Sequence, residues 1–148
     1  IIHAALCFQV PENGRVRLYH DSTQGWADSL YRKSGEFETV KGMKLSDFLQ
    51  SNLSGTENQL LLLRMNIEGA EYDVMRDLIE SGMAGCITGY YGMWDDLSKI
   101  DWELDREFRR LLSEHKVTKI TFNGRDLDWS SRVRCIEYDI HTQLLRGS

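Results

Sequence analysis

A single proline, Pro11, and three cysteines stand in these 148 residues. Cys7, Cys86 and Cys135 are odd in number, far apart and without CxxC spacing. That argues against a disulfide framework, a thiolate zinc site or a thioredoxin-like redox pair, and fits a reduced, cytoplasmic setting. His3, His20, His115 and His141 show no paired ligand spacing either, so no bound metal is expected. Lys and Arg number 18 against 23 Asp and Glu, a net charge of −5, and form no basic stripe that could follow a phosphate backbone. Nucleic acid is therefore not expected as a direct partner. The longest apolar runs, such as Leu60-Leu61-Leu62-Leu63, fall far short of the roughly 20 residues that span a bilayer, so no membrane segment is expected. Internal repeats, low-complexity tracts and interdomain linkers are absent.

What is present is an ordinary globular composition, 41% hydrophobic and 28% charged, enough for one core. The chain opens at Ile1 inside a predicted strand, without a methionine, so its start reads as cut, and it closes on Arg146-Gly147-Ser148, which reads as an appended tail. Residues 1–8 read as a buried strand, Pro11 to Gly14 as a turn, and Val16 to His20 as a returning strand, an opening hairpin. Asp21 to Lys44 is polar and dotted with glycine, and reads as a long surface loop. Ser46 to Leu53 has Leu45, Phe48, Leu49 and Leu53 on one helical face. Leu60 to Ile67 is nearly all apolar without alternation, the pattern of a central parallel strand covered on both faces.

Glu71 to Ser81 then carries Val74, Met75, Leu78 and Ile79 as a helical stripe, with Gly82 placed to end it. Ala84 to Tyr91 reads as a strand. Asp101 to His115 reads as a helix capped by Asp101, with Leu104, Phe108, Leu111 and Leu112 inward. Val117 to Phe122 and Val133 to Ile140 read as a closing antiparallel strand pair.

The most informative stretch runs from Leu63 to Met75, where an apolar strand feeds a helix through Asn66-Ile67-Glu68-Gly69-Ala70-Glu71. Ligands of open α/β sheets sit outside the carboxyl ends of the strands, where these side chains project. Gly69 permits close approach of a ligand or a backbone, and the new helix offers free N–H groups beside Glu68 and Glu71. On physical grounds alone the two carboxylates serve equally well to complement the helix dipole, for about 0.3–1 kcal/mol each.

Residues 66–71 resemble the signature of FkbM-family S-adenosylmethionine-dependent methyltransferases, an Asp, a hydrophobic residue and then Glu-Gly-Ala-Glu. The neighbours follow the family's order: Ala4-Ala5-Leu6, the Asn13-Gly14 turn, Lys44 to Leu49, and the closing strand pair. The resemblance implies a Rossmann-like methyltransferase sheet, mostly parallel, with an antiparallel C-terminal strand pair and its N-terminal strands missing. It implies methyl transfer from S-adenosylmethionine to an oxygen of a small molecule or sugar, without a metal. Under it residues 1–148 are a partial domain, lacking the glycine-rich cofactor-binding strand-turn-helix, and are expected to hold the cofactor weakly.

Position by position, the resemblance puts Asn66 and Ala5 at the cofactor, with Asn66 and Glu68 near the sulfonium or the acceptor and the stretch around Ala5 near the adenine. Glu68 and Glu71 become the candidate catalytic carboxylates, Glu68 the preferred one. Tyr91, Trp94 and Asp95, after the next strand, are candidates for an acceptor pocket. Asn66 departs from the family's Asp and removes a negative charge. The competing reading is a noncatalytic Rossmann-like module for structure or protein association, compatible with a homo-oligomer. Metal-assisted hydrolysis through Glu68, Glu71 and Asp95-Asp96 is less well supported, since the ligands do not visibly converge.

Overall fold

A computed structural model describes residues 4–20, 28–31, 35–53, 61–92, 97–117 and 128–146. It is a mixed α/β arrangement with two small sheets. Strands β1 (Ala5–Leu6), β2 (Arg15–Tyr19) and β3 (Phe37–Met43) form the first, in the order β1-β3-β2. β1 runs parallel to β3 with Ala5 opposite Gly42, and β2 runs antiparallel to it from Arg15 opposite Lys41 to Tyr19 opposite Phe37.

The expected opening hairpin is thus replaced by a sheet in which β3 separates the two strands. β3 itself occupies part of the predicted surface loop. Its outward residues are polar or aromatic and pair across the sheet. The Arg17 guanidinium lies 4.6 Å from the Phe37 ring centre, and Arg15 donates to the Thr39 carbonyl at 2.9 Å.

Helix α1 (Leu45–Asn52) forms where its apolar face predicts. The amide and hydroxyl of Ser46 both donate to the buried Asp77 carboxylate, each at 2.7 Å, which supplies the cap that Lys44 lacks and fastens α1 to the next helix. Strand β4 (Leu62–Met65) pairs in parallel with β5 (Gly89–Gly92), from Leu62 opposite Gly89 to Met65 opposite Gly92. β4 is not covered on both faces as expected: Leu62 and Arg64 are exposed while Met65 is buried, so one side of the strand is open.

Helix α2 (Glu71–Glu80) links these strands and ends at Gly82, whose φ of 76° is the left-handed conformation a helix stop favours. A 3-10 turn, Met83–Cys86, takes up the first part of the segment expected as strand 84–91. Helices α3 (Leu97–Ile100) and α4 (Trp102–Glu114) follow, and the Asp101 carboxylate accepts from the amides of Glu103 and Leu104 as the predicted cap.

The core gathers Leu45 and Leu49 of α1, Val74, Met75 and Leu78 of α2, Met65, Ile87, Tyr90 and Phe108. Met75 and Leu78 are fully buried, each removing apolar surface for roughly 1.5–3 kcal/mol. Val133 to Ile140 is helical, not a strand: it lies within α5 (Trp129–Arg146), so that half of the predicted antiparallel pair is overturned. Residues 118–122 of the other half lie outside the described residues.

Candidate functional site

β4 ends at Met65, and the chain then turns through Ile67–Ala70 before α2 begins. Two consecutive residues there have positive φ, Glu68 at 53° and Gly69 at 102°. The left-handed conformation costs a non-glycine residue roughly 1–2 kcal/mol, so Glu68 must be held in place by its surroundings.

Two groups hold it. The Glu71 carboxylate accepts from the Ile67 amide at 3.1 Å and from the Gly69 amide at 2.8 Å. The Ser29 hydroxyl donates to the Glu68 carbonyl at 2.7 Å. Gly69 is favoured by its conformation, φ 102°; a Cβ there would stand 2.9 Å from Ile100 Cδ1, a side-chain end that can shift.

Glu71, expected as a catalytic carboxylate, is buried to 2% exposure and faces the turn. Burial pushes its carboxyl above the usual carboxylate range, against the opposing pull of the backbone hydrogen bonds it accepts. Both of its oxygens are engaged with the backbone, and the carboxylate organises the turn. Glu68 is half-buried at the apex.

Beside the turn lies a cavity of about 440 Å³, within the size range of small-molecule sites. Ala5 and Asn66, the two residues expected at a cofactor, both line it. Apolar walls come from Leu6, Leu18, Leu30, Val40 and Ile67, and polar groups from Asp28, Glu38 and Asn66. No Lys, Arg or His stands among the described residues lining it, so the cavity favours a cation or a hydroxyl-bearing ligand over an anion. Asp28 also meets the His20 ring nitrogen Nδ1 at 3.1 Å. Glu68 and Glu71 are not among the described lining residues.

The family models, the curated proteins and the solved structures contain no match to this chain.

Tyr91, expected in an acceptor pocket, is buried on β5 at 4% exposure, and a Cβ on Gly89 would stand 3.1 Å from its ring and hydroxyl. It packs against its own strand and does not line the cavity. Trp94 and Asp95 lie outside the described residues. Among the described residues no three His, Cys, Asp or Glu side chains converge as metal ligands, and no helix is long and apolar enough to cross a membrane.

Sequence reasoning missed Ser29, Asp28, Leu30, Glu38 and Val40, all of which fell inside the segment read as a loop. Ser29 is 1% exposed, and its backbone bridges to Tyr19. No local pattern marks it, because its bridge is to Tyr19, ten residues earlier and across the chain's return.

Proposed function

We propose that this chain carries part of the site of an S-adenosylmethionine-dependent methyltransferase that methylates an oxygen of a small molecule or sugar. The observation that carries the reading is the cavity, where Ala5 of β1 and Asn66 after β4 meet beside the Glu68-Gly69 turn. Residues 66–71 resemble the FkbM signature, and the cavity gathers the positions that the resemblance assigns to the cofactor.

The fit is chemical as well as positional. A ligand with an apolar body, hydroxyl groups and a positive centre suits apolar walls set with Asp28, Glu38 and Asn66. When bound, S-adenosylmethionine supplies the activated methyl group. In this reading Ala5 leaves room for the adenine, Asn66 offers its amide oxygen to the positive centre, and the acidic wall strengthens binding of the charged donor. Because that charge is lost on transfer, the acidic wall serves binding more than rate, and rate comes from alignment of the acceptor oxygen. The acceptor oxygen would receive the methyl from the sulfonium, and Glu68, at the apex of the turn beside the cavity and outside its described lining, would take the hydroxyl proton through one water.

Calorimetric titration of S-adenosylmethionine into the chain tests this. Weak, saturable binding that Ala5→Trp abolishes is expected. A flat titration at millimolar ligand would contradict the reading and favour a noncatalytic module.

A further inference from the structure

Ser29 is fully buried and ties together three parts of the molecule. Its amide donates to the Tyr19 carbonyl at 3.0 Å and its carbonyl accepts from the Tyr19 amide at 2.9 Å, which fixes residues 28–31 to the end of β2. Its hydroxyl donates to the Glu68 carbonyl at 2.7 Å and accepts from the Tyr31 amide at 3.0 Å. Tyr31 in turn approaches Gly69, with ring carbon Cδ2 3.6 Å from where a Cβ would stand.

The segment so fastened forms a wall. Asp28 and Leu30 line the 440 Å³ cavity, and Leu30 also lines a second cavity of about 500 Å³ that reaches Tyr31 and Asp73. One buried hydroxyl therefore sets the wall of the cavity and the strained backbone of Glu68 together.

We propose that Ser29 is a positioning residue, a clamp through which residues 28–31 and the Glu68-Gly69 turn hold one another in the ligand-binding arrangement. The clamp acts on Glu68 through its backbone and on the ligand through Asp28 and Leu30. Its ligand arm rests on the methyltransferase reading, whereas its backbone arm stands without it.

The test compares Ser29→Ala with Leu49→Val, a core change in α1 away from the cavity that controls for lost stability. Amide hydrogen exchange and S-adenosylmethionine affinity are read on both. In Ser29→Ala the Tyr31 and Gly69 amides are expected to exchange roughly tenfold faster than in Leu49→Val. Affinity is expected to fall roughly fivefold, the loss of one hydrogen bond's worth of wall positioning. Ser29→Cys, similar in size with a weaker donor, is expected between wild type and Ala, and serves in its place if Ser29→Ala does not fold. Gly69 exchange no faster than in Leu49→Val, or affinity unchanged in a binding-competent chain, would overturn the clamp. If the wild-type chain binds no S-adenosylmethionine, the methyltransferase reading fails and the exchange data alone decide the clamp.

Discussion

Ala5 and Asn66 line the same cavity although they belong to the edges of different sheets, β1 of the three-stranded sheet and the end of β4 in the parallel pair. The turn that follows Asn66 is held from both sides, by the Glu71 carboxylate and by the Ser29 hydroxyl.

Asn66→Asp adds a third carboxylate to a cavity that already presents Asp28 and Glu38. For an exposed residue the gain toward a cation is modest, so S-adenosylmethionine is expected to bind roughly fivefold tighter at low salt. The neutral thioether S-adenosylhomocysteine should change little. Calorimetry with both ligands checks this, and equal strengthening of both would contradict a sulfonium beside residue 66.

Gly69→Ala places a side chain at φ 102° and 2.9 Å from Ile100 Cδ1. The conformational cost predicts a loss of roughly 1–2 kcal/mol in urea unfolding, since the Ile100 methyl end can shift aside. A loss under about 0.5 kcal/mol would show that the turn relaxes freely.

Glu71→Gln keeps one acceptor but turns an NH2 group toward the amide of Ile67 or Gly69, and is expected to cost about 2 kcal/mol. The dependence on pH has a definite sign. Burial raises the folded carboxyl above its unfolded value, so this group's contribution is complete below the ordinary carboxylate pKa of about 4.3 and declines as pH rises through the folded value. The advantage of Glu71 over Gln should therefore narrow with rising pH across that interval. An advantage that widens would mean that the hydrogen bonds outweigh burial.

Asp128 shows the opposite shift. The hydroxyl of Ser130, then the hydroxyl and amide of Ser131, hold its carboxyl well below the usual range at the start of α5. A depressed pKa contributes stability that is present above the unfolded value near 3.9 and is lost as pH falls toward the folded one. Circular dichroism should show helicity falling below about pH 4 in the wild type, and a smaller fall in Asp128→Asn. Identical acid profiles would contradict capping by the ionised carboxylate.

Local signals with a single meaning were legible. The apolar faces of α1, α2 and α4, the Asp101 cap and the Gly82 stop all stand where spacing put them, because each depends on neighbours in sequence. Asn66 and Gly69 stood out at one strand-to-helix junction, and Ala5 through the family resemblance alone; Ala5 and Asn66 line one cavity, and Gly69 sits in the turn beside it.

What failed depended on distant partners. Phe37 to Met43 looks too polar for a strand until Arg15 and Arg17 are set against Thr39 and Phe37 across the sheet. Ile136, Tyr138 and Ile140 alternate as in a strand, but Val133, Ile136 and Ile140 stand at the helical spacing i, i+3, i+7, and the Asp128-Ser131 cap favours the helix. The inward direction of Glu71, fixed by two backbone amides, is likewise invisible to spacing.

The most direct test of the central claim is a nuclear magnetic resonance titration of the isotope-labelled chain with S-adenosylmethionine, following every backbone amide. The account predicts saturable shifts at Ala5, Leu6, Asn66, Ile67 and Ala70, with no comparable change along α5. Shifts confined to other surfaces, or none at millimolar ligand, would contradict it.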